Sequence, residues 1–329
     1  AISSLVQGVA GAADPIGMCV EAFDQIEIWG GSSEDLESLL SQVAPEQAQA
    51  PAVRLMRVRL SWRGAASKEA SGLLEELVRD AVLTPSELAQ TLYHAARSGH
   101  LEAMELILTE LVAHIGGREA RRVAGLRTLQ ALDRDAAGLG PSLGTETRRT
   151  LALRAINWMN SGLGDAFLPG AGHVSSVGRA HELSGSPDAS LWLYENHALQ
   201  RPWDSSSRNN WAYSLAEAER DLALALKLVR RASKETSDPM ASFLDTEAWV
   251  LHKLGRHGEA KEVMERAIFH ATDSRYQTPE GRVEMMYHHG KILEANGETQ
   301  GAKAVFRGCA ARGADLPYGE RCRRALAAL

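Results

Sequence analysis

Three segments near the C-terminus place small and large apolar residues at one shared spacing. Ala225, Leu228, Val229 and Ala232 form the first. Ala260, Val263, Met264 and Ala267 form the second, and Ala302, Val305, Phe306 and Cys309 the third. A small residue, a large pair three and four positions on, and a small residue at the seventh lie on one face of an α-helix. The small ends let a neighbouring helix approach, and the large pair fills the space between. From Ala225 to Ala260 is a step of 35 residues and from Ala260 to Ala302 one of 42, with Thr272 to Pro279 the place for the added residues. Recurrence at this period predicts helix pairs stacked in a row, because no single pair can bury its apolar face alone.

Each of these helices follows another amphipathic one. Leu244, Ala248 and Leu251 share a face, as do Met286, Gly290 and Leu293. Gly255 and Gly297 stand where a helix must stop and turn. The run from Phe243 through Ala248 and Trp249 to Arg256, and the run from Asn209 to Ala216, resemble the tetratricopeptide repeat (TPR) in its bacterial form. That family has a small residue in helix A and spaced alanines in helix B. Ala248 and Gly290 match the first feature. The pairs Ala225/Ala232, Ala260/Ala267 and Ala302/Cys309 match the second, with Cys309 in place of an alanine. Tyr213 stands where a small residue is usual. The resemblance spans residues 205–329 and is degenerate before them. It implies an all-α, right-handed superhelical solenoid of helix pairs, closed by a capping helix over Tyr318 to Leu329. It specifies a fold and is nearly silent about activity.

Ahead of the strong repeats the pattern is looser. Met18 to Ile28 reads as a helix, and Ser32-Ser33-Glu34-Asp35 as a helix start. Ala52 to Trp62 and Ala70 to Val82 read as a first helix pair. Thr84-Pro85 opens a second, with Ala89, Leu92 and Ala96 as its stripe and Met104 to His114 as the partner helix. Arg118 to Ala137, Arg148 to Asn160, Val177 to Ser184 and Ala189 to Gln200 are further helices. Residues 161–175 carry Gly162, Gly164, Pro169, Gly170 and Gly172 and form the loosest stretch. These features divide the chain into divergent repeats over 1–137, a connector over 138–204 and the strong array over 205–329.

Composition narrows the function. Of 329 residues, 44% are hydrophobic and only 5% aromatic, which favours close helix packing over sheets. A net charge of −6 opposes sequence-independent nucleic-acid binding, which needs a basic surface. No apolar run is long enough to span a bilayer. Cys19, Cys309 and Cys322 have no metal-site spacing. A helical hairpin would bring Cys309 and Cys322 together as a disulfide; two small buried thiols in a reduced protein are the other reading. A start at Ala1 without Met suits a processed protein of the cell envelope or exterior, and equally a trimmed cytoplasmic one.

No catalytic signature emerges. Gly138-Leu139-Gly140 and Gly162-Leu163-Gly164 lack the Lys-Ser/Thr of a phosphate loop. There is no Gly-x-Ser-x-Gly elbow. His288 and His289 are adjacent and point about 100° apart on a helix. His181-Glu182 lacks the second histidine of a zinc-protease helix. No enzyme activity, metal or cofactor is expected. In a stack of helix pairs the A helices line the concave side. The residues expected to face that groove are Asn210, Ser214, Glu217, Asp245, Trp249, His252, Lys253, Tyr287, Lys291 and Glu294, with core packing the competing reading for Trp249. Their mixture of amide, charges and aromatics suits a protein or peptide partner. The leading expectation is therefore a scaffold within a larger complex. Self-assembly through the apolar end at Leu326, Ala327, Ala328 and Leu329 is the alternative, and an enzyme hidden around 161–175 is third.

Overall fold

The computed structural model describes residues 2, 6, 9, 12–28, 31–63, 67–138, 143–163, 173–236, 240–272 and 278–329. Among them every regular element is helical. The chain groups into two compact units. The first comprises Ala1–Asp135, Leu139–Leu143 and Asn157–Asp165; the second comprises Ala136–Gly138, Gly144–Ile156 and Ala166–Leu329. The stretch expected as the loosest, 161–175, falls largely on residues 164–172, outside the described residues, as do 273–277 within the expected insertion.

The first unit contains α1 (Pro15–Ile28), α2 (Ser33–Leu40), α3 (Pro51–Ser61), α4 (Ser67–Arg79), α5 (Pro85–Arg97), α6 (Leu101–Ile115) and most of α7 (Gly117–Ala136). The next helix, α8 (Thr145–Leu163), contributes to both units. Two capping boxes fix helix starts here. Ser32 Oγ accepts from the Asp35 amide while Asp35 accepts from the Ser32 amide, and Thr84 and Glu87 repeat the arrangement. Helix pairs α3–α4 and α5–α6 pack as hairpins, and α1, α3 and α5 also touch in succession. The first core gathers Cys19, Phe23, Ile26, Leu36, Leu39, Val53 and Met56. The stripe of α5 is buried as its spacing requires, with Leu92, Ala95 and Ala96 fully covered.

The second unit runs through α9 (Val174–Ser184), α10 (Pro187–Gln200), α11 (Ser205–Glu217), α12 (Leu222–Lys234), α13 (Ala241–Lys253), α14 (His257–Thr272), α15 (Pro279–Ala295), α16 (Thr299–Arg312) and α17 (Pro317–Ala328). Each helix packs on the next. The odd-numbered helices α9, α11, α13, α15 and α17 also pack on one another in order, while the even-numbered ones do not form such a row. This is the two-layer arrangement of an all-α, TPR-like array. Most of the repeated small and large positions behave as their spacing requires: Ala225, Val229, Ala232, Ala260, Met264, Ala267, Ala302, Phe306 and Cys309 are fully buried and Val263 nearly so, while Leu228 and Val305 are half-buried. Gly290 in α15 lies directly against the ring of Phe306 in α16, leaving no room for a side chain there.

Turns between helices close by one device. At Gly255 (φ 76°) and Gly297 (φ 79°) the backbone turns left-handed, and the next amide reaches back to a carbonyl five residues earlier: Arg256 to Leu251, Glu298 to Leu293. The α11–α12 turn makes the same bond, Arg220 to Leu215, with Glu219 in the left-handed conformation instead of glycine. Several helices begin earlier than apolar periodicity indicates. Helices α3 and α10 start at Pro51 and Pro187. Proline suits the first helical turn, where its missing N–H is no loss, and the polar first turn of α10, Pro-Asp-Ala-Ser, leaves no trace in the hydrophobic pattern.

Cys309 and Cys322 are joined, Sγ to Sγ at 2.01 Å, linking α16 to α17. Cys19 is a free, buried thiol whose pKa burial pushes up to about 11.

Candidate functional site

Side chains on the odd-numbered helices of the second unit meet on one face, so the alternation that builds the array also builds the site. Of the ten residues expected there, Asn210, Glu217, His252, Lys253, Tyr287, Lys291 and Glu294 are partly exposed. Ser214, Asp245 and Trp249 are buried. Trp249 is only 3% exposed. It stacks on His288 at 4.2 Å between ring centres and on His252 at 5.0 Å, and its Nε1 donates to Glu217 Oε1 at 2.9 Å. Lys253 lies 5.0 Å from the Trp249 ring centre and pairs with Glu219 at 2.7 Å. Asn210 donates to Ser175 Oγ at 3.2 Å, and Lys291 to Glu294 at 2.5 Å.

Residues outside that expectation complete the face. Asp245 accepts from His288 Nδ1 at 3.0 Å. Tyr213 donates to Glu284 Oε1 at 2.5 Å and bonds the Tyr318 hydroxyl. Arg321 donates to Glu217 Oε2 at 3.2 Å and sits over the Tyr318 ring. Arg179 pairs with Glu280. Helix α17 therefore reaches α11 through its side chains. Sequence patterning identified α17 as a cap but not as part of this face; Tyr213, noted only as a departure from the small-residue pattern, was the available signal.

Protonation follows from this enclosure. Burial raises the pKa of Glu284, and the neighbouring Asp245 adds to the rise. Burial opposes protonation of His288, yet the Asp245 carboxylate outweighs it and holds the imidazole pKa up. Burial, with His257 and Lys253 nearby, pushes His252 down to about 4. Desolvation by crowding neighbours pushes Glu182 up to about 7, but the residue is exposed to water, which reduces the effect. The Asp245–His288 pair has the outline of a catalytic dyad. However, His288 Nε2, the atom a nucleophile would have to meet, has no hydrogen-bond partner. Among the described residues no cluster of three His, Cys, Asp or Glu side chains is arranged for a metal, and no helix is long and apolar enough to cross a membrane.

The first unit offers a different feature. Residues from α1, α3, α5 and α7 line an open pocket of about 480 Å³, among them Asp24, Glu27, Arg59, His94, Arg127 and Arg134. Periodicity drew attention away from it, since arginines such as Arg59, only 6% exposed, read as the solvent face of a helix.

No family model matches the chain, and no curated protein matches it. Similar solved structures include yeast Tom70, with 11% identity over 99% of this chain and 81% of that one at a TM-score of 0.38. The TPR domain of P58(IPK) has 13% identity over 94% and 77% at 0.25. A computationally designed self-assembling cyclic homo-oligomer has 14% identity over 94% and 91% at 0.13. Scores this low carry no functional argument. The assignment to an all-α, TPR-like array rests on this chain's own helix contacts.

Proposed function

We propose that the protein is a non-catalytic scaffold that binds a partner polypeptide along the odd-numbered helices of its second unit, as a subunit or assembly factor of a larger complex. The observation that supports this is the strip of partly exposed Asn210, Glu217, His252, Lys253, Tyr287, Lys291 and Glu294 on successive helices of one layer. Mixed polarity with aromatic area is the chemistry of peptide recognition. A bacterial cell-envelope or extracellular setting is part of the proposal, and the Cys309–Cys322 bond supports it, because such bonds persist in oxidising compartments. Self-association through the C-terminal end is the weaker alternative, since Leu326 and Leu329 pack against the chain's own cluster around Phe306.

The test places a photo-crosslinking residue at Asn210 or Lys291, and at the exposed Lys227 of α12 as a control, in protein expressed in its native host. A discrete crosslinked partner from the first two positions and not from the third is expected. Recovery of uncrosslinked monomer alone, or equal labelling from both layers, would refute the proposal.

A further inference from the structure

The odd-numbered helices of the second unit bring more carboxylates than cations to the centre of their shared face. Three of those carboxylates have a cation from the chain itself: Glu217 takes Arg321, Glu280 takes Arg179 and Asp245 takes His288. Glu182 on α9 and Glu284 on α15 are served by hydroxyls instead. Ser190 donates to Glu182 at 2.9 Å, and Tyr213 donates to Glu284 at 2.5 Å with the Tyr318 hydroxyl also beside it. Neither makes an ion pair among the described residues. The two belong to one neighbourhood. Arg179, one turn before Glu182, pairs with Glu280, one turn before Glu284. Desolvation by crowding neighbours, and then the charge of Glu284, favours a proton on Glu182. Like charges at this range repel until a cation joins them.

His288 gives a second, independent sign. Its ring is fully buried, Nδ1 is turned to Asp245, and Nε2 on the opposite edge has no hydrogen-bond partner. The rings of Tyr213 and Tyr318 lie 6.1 and 5.8 Å from it between centres, on the side where their hydroxyls meet Glu284. A buried polar group left unpaired costs about 1–3 kcal/mol, and a main-chain carbonyl would serve this one.

We infer that this face selects a partner segment carrying an arginine, whose guanidinium meets Glu182 and Glu284 while a neighbouring carbonyl accepts from His288 Nε2. The inference deepens the scaffold reading and rests on it. The face already takes guanidiniums of its own: Arg321 pairs with Glu217 and lies 4.6 Å from the Tyr318 ring centre, and Arg179 meets Glu280. An incoming arginine repeats that chemistry at the two carboxylates the chain does not itself neutralise. Its planar fork pairs with carboxylate oxygens and stacks on aromatic rings, which a lysine ammonium does less well. Glu182 is exposed and Glu284 half-buried, so a side chain arriving from solvent reaches the first without disturbing the core. A metal ion is the other cation to weigh, but among the described residues no three His, Cys, Asp or Glu side chains are arranged to hold one.

The test titrates the full chain calorimetrically with a capped Gly-Gly-Arg-Gly-Gly peptide and with its lysine and glutamate counterparts. Saturable binding of the arginine peptide is expected, weaker for lysine and absent for glutamate. Glu182→Gln and Glu284→Gln should each weaken it about tenfold, as loss of a charge-assisted hydrogen bond predicts, with circular dichroism unchanged. Glu182→Gln, at an exposed position, decides the matter even if Glu284→Gln unfolds. Glu75→Gln, at an exposed carboxylate of α4, changes net charge equally and should leave binding intact. The inference is overturned by no saturable binding at millimolar peptide, by an equal loss in Glu75→Gln, or by lysine or glutamate peptides binding as tightly. The crosslinked partner of the scaffold test should weaken in the Glu182→Gln, Glu284→Gln double variant. Undiminished crosslinking from Lys291 there would sink the arginine and leave the scaffold standing.

Discussion

Replacing Gly290 by alanine tests the interlock of small and large residues most directly. On helix propensity alone the change stabilises by about 1 kcal/mol. The packing predicts the opposite. An added Cβ would lie 2.7 Å from both Cδ1 and Cζ of Phe306, and closer still to Cε1. Phe306 is fully buried, so its ring has nowhere to retreat. Overpacking of this kind costs about 1–3 kcal/mol, and clashes with three ring atoms place it toward the upper end. The net expectation for Gly290→Ala is a loss of about 1–2 kcal/mol. Phe306→Leu alone also destabilises, by removing buried ring atoms. In the double variant the smaller side chain admits the new methyl group, so the combined loss should fall short of the sum by about 1 kcal/mol or more. Guanidinium unfolding followed by circular dichroism, with hydrogen exchange across α15 and α16, measures all three. A Gly290→Ala protein more stable than its parent, or strictly additive losses, would refute the close approach of these helices.

Reducing the Cys309–Cys322 bond, or replacing both residues by alanine, should cost about 3 kcal/mol for a loop of this length, read as loss of exchange protection in α17; unchanged protection would contradict the crosslink. Glu182 has a folded pKa raised from 4.5 to about 7, so the folded state keeps a proton that the unfolded chain releases. Its contribution to stability is full below pH 4.5 and is lost as pH rises through about 7. Glu182→Gln should therefore stabilise relative to the parent above that window and not below it, with water access reducing the size of the effect; parallel pH profiles would exclude the shift. Ala81 holds a left-handed φ of 50° on an exposed turn, so Ala81→Gly should gain up to about 1 kcal/mol in chemical denaturation, and a loss would argue against strain there.

Much of the helical architecture was legible because packing leaves a periodic trace. The Ala-Leu-Val-Ala, Ala-Val-Met-Ala and Ala-Val-Phe-Cys spacings mark the packed faces of α12, α14 and α16, buried except at the half-buried Leu228 and Val305, and Gly255 and Gly297 are the left-handed turn residues. The helix start at Pro187 was not legible, since its first turn, Pro-Asp-Ala-Ser, is polar and still helical. The polar face was harder to read. Spacing places Trp249 and Asp245 on an inner helix, but whether they face solvent depends on neighbours from other helices. His288 and Glu217, distant in sequence, are what enclose them. The first unit's pocket was missed because an arginine on an amphipathic helix is by default a solvated one. Only the convergence of four helices sets Arg59, Arg127 and Arg134 around a common space.

Tyr213 meets Tyr318 across 105 positions, and Glu217 meets Arg321 across 104. Tandem helical arrays ordinarily communicate only between adjacent repeats, and their ends fray independently of their middles. Here a clasp skips two intervening members of the row. Peeling away the final segment would release the hydroxyl and carboxylate anchored on α11, so loosening at the terminus is felt several repeats inward. A stack built to melt piecemeal thereby acquires some of the all-or-none character of a globule.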